Sequence, residues 1–328
     1  MLLCRLGMEV YMHISPTDPI TPAWDHMVRI LFKPFAFKKW LALGFCAFLA
    51  QCNEQSASQG GNFWSQPGNA NSIGNVRDWI NSNFDLFITL LIVGVLVVVA
   101  IGLLTTWLSS RGKFMLLDGI VKNRGAVIEP WKQYKTEGNS LFFFTVFLSI
   151  ALIIIFGVIC GITALIALPD IQNDTLTGAA ITAFVIGGLL LLLYMIACVA
   201  ISYFMNALMI PTMYLKRVRA IEGWKIAWNQ LLKGHVGSAI LFFLMMFVLG
   251  IAAGIVGMLA ICATCCIGAL PYISSVLLLP ITVFFACYVI CYIQQFGSDW
   301  VFFKNMCRFC NYEMEGLEEG HTCPECGK

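Results

Sequence analysis

Four long stretches of the chain consist of apolar and small uncharged residues: 86–108, 141–168, 178–210 and 236–293. A helix needs about 20 apolar residues to cross the hydrocarbon core of a bilayer. The first three stretches therefore each predict one transmembrane helix. The fourth is long enough for two, and Gly268 and Pro271 near its middle predict a turn between spans 236–264 and 270–294.

A shorter apolar stretch, 40–52, predicts one further span at the start of the series. It would reach about 20 Å as a helix, and Lys38 and Lys39 ahead of it can extend their side chains to the membrane surface. The same stretch resembles a lipoprotein-type signal cleaved before Cys52, but the 39 residues ahead of it are too many for a signal peptide. We therefore interpret it as a retained helix. Pro280 is expected to kink the sixth and last span.

Composition agrees with a membrane protein and the charges predict its orientation. Hydrophobic residues make up 59% of the 328 residues and charged residues only 12%, against about 25% charged in soluble domains. With six spans, 19 of the 20 Lys and Arg residues lie on one side, in 1–39, 109–140, 211–235 and the C-terminal tail. Because positive residues concentrate in cytoplasmic segments, both termini are predicted to lie in the cytoplasm, with the bundle in the cell (inner) membrane.

A short sequence repeat precedes the outward-running spans. Ile128–Lys132 (IEPWK) recurs as Ile221–Lys225 (IEGWK), and a fainter copy is Ile20–Trp24. The repeat predicts three units, each an interfacial helix followed by a transmembrane hairpin. Tryptophan favours the headgroup level of a bilayer, so four tryptophans of these helices are predicted to lie at the membrane interface. They are Trp24, Trp131, Trp224 and Trp228.

The C-terminal tail carries two paired cysteine motifs. Cys307 and Cys310 form one C-x-x-C pair, and Cys323 and Cys326 form a second after twelve intervening residues. Four thiolates at this spacing predict one structural Zn²⁺ in a zinc ribbon. Because the cytoplasm keeps thiols reduced, paired cysteines there indicate a metal more often than a disulfide. A rubredoxin-like iron site is an alternative with a longer usual insert, and His321 is interpreted as a surface residue.

The predicted fold is therefore an all-α membrane protein. It comprises a cytoplasmic segment 1–39 with an interfacial helix, a six-helix transmembrane bundle with interfacial elbow helices over 40–300, and the ribbon over 301–328. No Asp, Glu, Lys, Arg or His lies in the middle of any predicted span, and HExxH, GxSxG and P-loop patterns do not occur in the sequence. Such groups usually mark membrane enzymes and ion pathways, so the sequence favours a non-enzymatic protein.

The tail also indicates the kind of partner. After Met306 it contains five acidic residues against two basic ones, whereas phosphate backbones require a basic face. A cytosolic protein is therefore the predicted partner of the ribbon, nucleic acid is disfavoured, and the lipid bilayer surrounds the bundle. The alternative is a transporter or lipid-handling protein that uses the repeat as a pseudosymmetric pathway. The sequence does not determine an oligomeric state.

Several segments resemble a known group of membrane proteins. Arg111–Phe114, the stretch from Glu129–Trp131 to Asn139, and Pro211–Gly234 look like bacterial multi-pass proteins related to the membrane domain of some glycerophosphodiester phosphodiesterases. The tail looks like the zinc ribbons appended to many bacterial membrane proteins. The catalytic domain of those enzymes is not among the 328 residues, so the resemblance implies a membrane domain and no phosphodiesterase activity.

Overall fold

The computed structural model describes residues 14–60, 82–172, 178–264 and 270–303. All regular elements in these ranges are helical, as the sequence predicts. Eleven α-helices, numbered in chain order, are interrupted or followed by two π-helical segments and one short 3-10 turn. They are α1 (Ile20–Phe32), α2 (Phe37–Gly60), α3 (Phe84–Val121), α4 (Ile128–Gln133), α5 (Lys135–Gln172), α6 (Gly178–Phe204), π-helix Met205–Met209, α7 (Ile210–Lys216), α8 (Ala220–Ile226), π-helix Ala227–Leu232, α9 (Val236–Ala263), α10 (Pro271–Leu277), α11 (Leu279–Gln294) and the 3-10 turn Ser298–Trp300.

Four helical stretches are long and apolar enough to cross a membrane: Phe84–Val121, Lys135–Leu168, Ile181–Lys216 and Val236–Ala263. They contain most or all of the second to fifth predicted spans. The first extends well beyond its predicted end at residue 108, because the apolar run of Phe114–Leu117 continues the helical pattern past Arg111 and Lys113. The predicted span 86–108 therefore lies within a longer helix that ends at Val121.

The first and last predicted spans have a different form. Span 40–52 lies inside α2, a 24-residue helix that continues into a polar sequence. The last span is divided at Leu278 into α10 and α11, two residues before Pro280. Proline has no N–H and its ring displaces the preceding turn, which explains the position of the break. Neither stretch is among the helices that are both long enough and apolar enough to cross a membrane. The count of six spans therefore stays a prediction.

Short helices begin at each copy of the sequence repeat. They start at Ile20, Ile128 and Ala220, and they precede the longer helices α2, α5 and α9 in the chain. The predicted elbow helices are therefore present as local structure. The turn predicted at Gly268 lies outside the described residues.

The chain divides into two compact units. The first unit consists of the described parts of Met1–Gly44, Leu117–Ala126 and Met205–Lys328. Its centre is α11, against which α1 packs. Phe242 of α9 stacks on Tyr292 and Tyr288 of α11, with ring centroids 3.9 Å and 5.3 Å apart. The C-terminal half of the last predicted span is thus enclosed by protein within this unit.

The second unit consists of Phe45–Leu116 and Val127–Phe204. Its long helices expose most of their apolar side chains, as expected where lipid replaces water as the surrounding solvent. The first turns of α5 and the part of α3 from Ser109 onward are more buried than the rest of these two helices. At Gly112 a Cβ atom would lie 2.5 Å from the backbone nitrogen of Ala50, and Ser109 Oγ donates a hydrogen bond of 2.6 Å to the Ala50 carbonyl. Glycine at this position therefore allows α2 and α3 to approach closely.

Candidate functional site

The predicted zinc ligands Cys307, Cys310, Cys323 and Cys326 lie outside the described residues. Within the described ranges, no group of three or more metal-ligating side chains comes together. The ribbon and its Zn²⁺ therefore stay a prediction from the sequence.

The four tryptophans predicted at the membrane interface fall into two groups. Trp24 and Trp228 are 57% and 49% exposed, so their rings are available to a bilayer surface. Trp131 and Trp224 are half-buried. The depth of these side chains in a membrane stays a prediction, and Trp131 has an additional role in packing.

Trp131 belongs to a cluster around Arg111 in the second unit. We define the Arg111 cluster as Trp107 and Arg111 of α3, Trp131 of α4 and Asn139 of α5. Residues four apart lie on the same face of a helix, so α3 presents Trp107 and Arg111 together. The short helix α4 and the first turns of α5 bring the other two side chains to them.

The guanidinium of Arg111 is held against both indole rings. Its Cζ atom lies 4.6 Å from the ring centroid of Trp107 and 4.8 Å from that of Trp131. The two rings meet edge to face, with centroids 5.6 Å apart and an angle of 88° between their planes. Both distances are within the range of cation–π attraction. Arg111 is only 7% exposed, so this cation is removed from most of the solvent.

One hydrogen bond orients the guanidinium. Arg111 Nη2 donates to Asn139 Oδ1 at 2.9 Å, and the indole Nε1 of Trp107 donates to the same oxygen at 3.3 Å. The buried Nε of Arg111 has no hydrogen-bond partner in the described part of the chain. Among the same residues, no carboxylate forms a salt bridge with Arg111. The positive charge is therefore attracted by the two rings but is not neutralised by an acidic side chain described here.

A second cluster, in the first unit, surrounds a buried carboxylate. We define the Asp118 cluster as Asp118, Lys122, Arg124 and Tyr214. Asp118 is 0% exposed. Lys122 Nζ lies 2.7 Å from its Oδ1, and Arg124 Nη2 lies 2.9 Å from its Oδ2. The Tyr214 hydroxyl donates a hydrogen bond of 3.3 Å to Oδ1.

The C-terminus of α3 returns Arg124 to Asp118. Asn123 has a φ of +50°, and its N–H bonds the carbonyl of Ile120, while the N–H of Arg124 bonds the carbonyl of Gly119. This is a Schellman motif with asparagine at the left-handed position, where only glycine is more favourable. Both cations that pair with the Asp118 carboxylate, Lys122 and Arg124, therefore come from the end of α3 and the residues that follow it.

The same turn is tied to the start of α2. Lys39 Nζ donates a hydrogen bond of 3.0 Å to Asn123 Oδ1, and partial burial lowers the pKa of the Lys39 ammonium group. A Cβ atom at Gly125 would lie 2.8 Å from the Cα of Lys39. Glycine at this position allows the two segments to approach.

Sequence reasoning identified Trp131 but not the clusters around Arg111 and Asp118. The predicted span ends at residue 108, so the sequence analysis did not place Arg111 and Asp118 on the same helix as Trp107. The available signals were the Trp107-x-x-x-Arg111 spacing and a single carboxylate, Asp118, within the apolar run from Phe114 to Val121.

The two clusters differ in what they can do chemically. The Asp118 carboxylate is saturated by two cations and a hydroxyl, which is typical of a structural ion pair. The Arg111 guanidinium retains unused donors, and no carboxylate in the described part of the chain pairs with it, which suits an incoming anion.

Comparison with known proteins identifies one family. No curated protein and no solved structure matches the chain significantly. A family model described as "Family of unknown function (DUF7544)" matches residues 14–302, which include both clusters and all four tryptophans. The match covers well over half of the chain. The protein therefore belongs to the DUF7544 family of unknown function.

Proposed function

We propose that the protein is a non-enzymatic multi-pass protein of the cell (inner) membrane whose zinc ribbon binds a cytosolic protein. The bundle anchors the ribbon at the inner membrane surface, and both termini lie in the cytoplasm. The observation that carries the proposal is that a strongly apolar helical domain and a tail with two C-x-x-C pairs occur on the same chain.

The exposed apolar surface supports the membrane part of the proposal. In each of the four membrane-length helices, at most 11% of the most apolar 18-residue stretch is buried inside the protein. A large contiguous apolar surface is unfavourable in water, and a bilayer covers it without cost. The helices are therefore suited to lipid contact along most of their length.

The composition of the tail supports a protein partner. Glu313, Glu315 and three further glutamates outnumber its basic residues after Met306. An acidic surface repels nucleic-acid phosphates and suits a partner with a basic patch. A closed set of four cysteines leaves no open coordination position for a substrate, so the proposed Zn²⁺ is structural.

The proposal is tested on the purified full chain in detergent. We expect about one Zn²⁺ per chain by mass spectrometry of the metal, lost when Cys307 and Cys323 are both replaced by Ser. The matched control is Cys262→Ser, because Cys262 lies in the apolar helix α9 and outside any metal cluster of the described residues. Absence of stoichiometric Zn²⁺ from the unaltered protein would contradict the zinc ribbon.

Partner binding is tested with the same variants in cells. Crosslinking should capture a cytosolic protein with the unaltered chain and with Cys262→Ser, but not with Cys307→Ser/Cys323→Ser. The unaltered chain and the two variants must first be present in equal amounts in the membrane fraction. If the double variant captures the same protein equally well, the ribbon does not mediate the interaction.

Lipid handling is the second candidate function, and the Arg111 cluster is the observation that favours it. Lipid headgroups present phosphate at the depth where Trp and Arg side chains are favourable. Saturable lipid transfer between liposomes, by a protein lacking residues 305–328, would support this candidate over the scaffold.

A further inference from the structure

Within the described ranges, Arg111 has no acidic partner of the kind that a buried cation normally has. Removing a cation from water is costly unless it is paired and hydrogen-bonded. The rings of Trp107 and Trp131 attract the guanidinium, but cation–π attraction is weaker than the pairing with a carboxylate at contact distance. The unpartnered Nε at a 7% exposed residue adds to the cost of burying this cation. A bound anion would offset the positive charge.

The guanidinium is also held in a fixed orientation. Asn139 Oδ1 accepts from Arg111 Nη2 and from Trp107 Nε1, so the amide oxygen is held on both sides. This arrangement uses one of the five N–H donors of the guanidinium, and Nε–H remains unsatisfied. A planar guanidinium binds two oxygens of one phosphate with parallel N–H donors, and a preoriented one loses less entropy on binding.

Charged side chains of both signs flank the cluster on α4 and α5. Lys132, Lys135 and Glu129 are exposed, whereas Glu137 is buried. The charge distribution predicts that this segment faces the cytoplasm, where the leaflet carries anionic phospholipids. Trp131 is half-buried, which leaves part of the indole available at the headgroup level.

We propose that the Arg111 cluster is a phosphate-binding site, in which the remaining Nη donors of the guanidinium hold the oxygens of an anionic lipid headgroup or of free phosphate. The rings of Trp107 and Trp131 attract the guanidinium, and Asn139 sets its orientation. This inference does not depend on the zinc ribbon, and it goes beyond the scaffold function proposed above.

The first experimental arm measures lipid binding by the full chain. The protein is reconstituted in phosphatidylcholine nanodiscs with increasing fractions of phosphatidylglycerol, and the retained phosphatidylglycerol is counted by native mass spectrometry. Arg111→Gln should weaken retention by about tenfold, since a charge-assisted bidentate contact is lost. The matched control Lys132→Gln removes the same charge from an exposed side chain and should weaken retention by less than about twofold.

The second arm measures binding of inorganic phosphate in phosphatidylcholine nanodiscs, by phosphorus NMR line broadening. Broadening that Arg111→Gln removes, together with displacement of phosphatidylglycerol by phosphate, would identify free phosphate as a ligand. Retention of phosphatidylglycerol without phosphate broadening would identify the lipid headgroup. Either result supports the site, and the pair separates the two sources.

Arg111→Lys keeps the charge, removes the planar fork and allows the test even if Arg111→Gln does not fold. We expect an intermediate loss of about threefold to fivefold for a folded Arg111→Lys protein, because an ammonium acts as a point charge. If folded Arg111→Lys and the unaltered protein bind equally in both arms, or if neither probe binds the unaltered protein, the site is overturned. Arg111 then serves only to pack two tryptophans.

Discussion

Helix α3 contains two buried charged residues, Arg111 and Asp118, whose surroundings are opposite in kind as well as in sign. Asp118 is enclosed by Lys122, Arg124 and the hydroxyl of Tyr214, so each carboxylate oxygen has a partner. Arg111 is attracted by two indole rings and one amide oxygen, and its Nε is unsatisfied. A saturated buried charge stabilises the fold, whereas an unsaturated one is available to a ligand. The comparison separates a structural cluster from a binding cluster on one helix.

The largest expected effect comes from neutralising the saturated carboxylate. Asp118→Asn leaves Lys122 and Arg124 without their counter-charge, so the free energy of unfolding should fall by about 2–3 kcal/mol. This is less than for a fully buried pair, because the two cationic side chains are 38% and 30% exposed. Thermal unfolding of the purified protein in detergent measures the change.

The control for this substitution is Asp85→Asn, since Asp85 is an exposed carboxylate at the other end of the same helix. It should leave the unfolding temperature nearly unchanged. Equal unfolding temperatures for Asp118→Asn and the unaltered protein would show that the Asp118 cluster does not stabilise the fold.

A smaller effect is expected from the hydroxyl that completes the same cluster. Tyr214→Phe removes one hydrogen bond to Asp118 and should lower the free energy of unfolding by about 1 kcal/mol. In the Asp118→Asn background the same change should cost less, because the charged acceptor is gone. A double-mutant cycle measured by thermal unfolding tests this coupling, and strict additivity would show that the hydroxyl acts elsewhere.

Lys122→Met should have a still smaller effect. The ammonium is 38% exposed and pairs with a carboxylate that Arg124 also neutralises, so the loss should be about 0.5 kcal/mol. Raising the salt concentration should reduce the difference between Lys122→Met and the unaltered protein, because exposed charges are screened. A loss as large as that of Asp118→Asn would mean that Lys122 alone compensates the carboxylate.

The smallest change in stability is expected at the unsaturated charge. Arg111→Gln removes the cation–π attraction and one hydrogen bond, but it also relieves an unpaired buried charge, so the net change should stay within about 0.5 kcal/mol. Thermal unfolding in phosphatidylcholine nanodiscs measures it without an anionic ligand. A loss above about 2 kcal/mol would show that Arg111 is part of the structural framework, as Asp118 is.

Much of the helical order was predictable because it depends on local pattern. The uncharged stretches 86–108, 141–168 and 178–210 lie almost entirely in helices of membrane-crossing length. The elbow helices begin at or beside the repeated IEPWK and IEGWK motifs, and the last apolar stretch breaks two residues before Pro280. The end of α3 was missed, because charged residues at 111 and 113 were taken to mark the membrane boundary. A helix can continue past such a boundary where its next turns pack against protein.

The candidate site was only partly predictable. Trp131 was identified from its motif, but its contact with Arg111 joins α4 to α3, and the sequence does not place these two side chains together. The last apolar stretch was expected as a span, yet its C-terminal half is enclosed by α1 and Phe242. Apolar composition is the same for a lipid-facing helix and a protein-enclosed one, so pattern alone does not separate them.

The sequence by itself determined that the chain is an apolar, all-helical membrane protein in the described ranges, and it supplied the four cysteines of the predicted ribbon. These properties follow from residue type and spacing along a short segment. Only the tertiary structure decided which charges are saturated. Asp118 meets Tyr214 from 96 residues away, and Arg111 meets Asn139 from 28 residues away. Neutralisation of a buried charge depends on atoms within a few ångströms of it, and those atoms come from helices whose packing the local pattern does not specify.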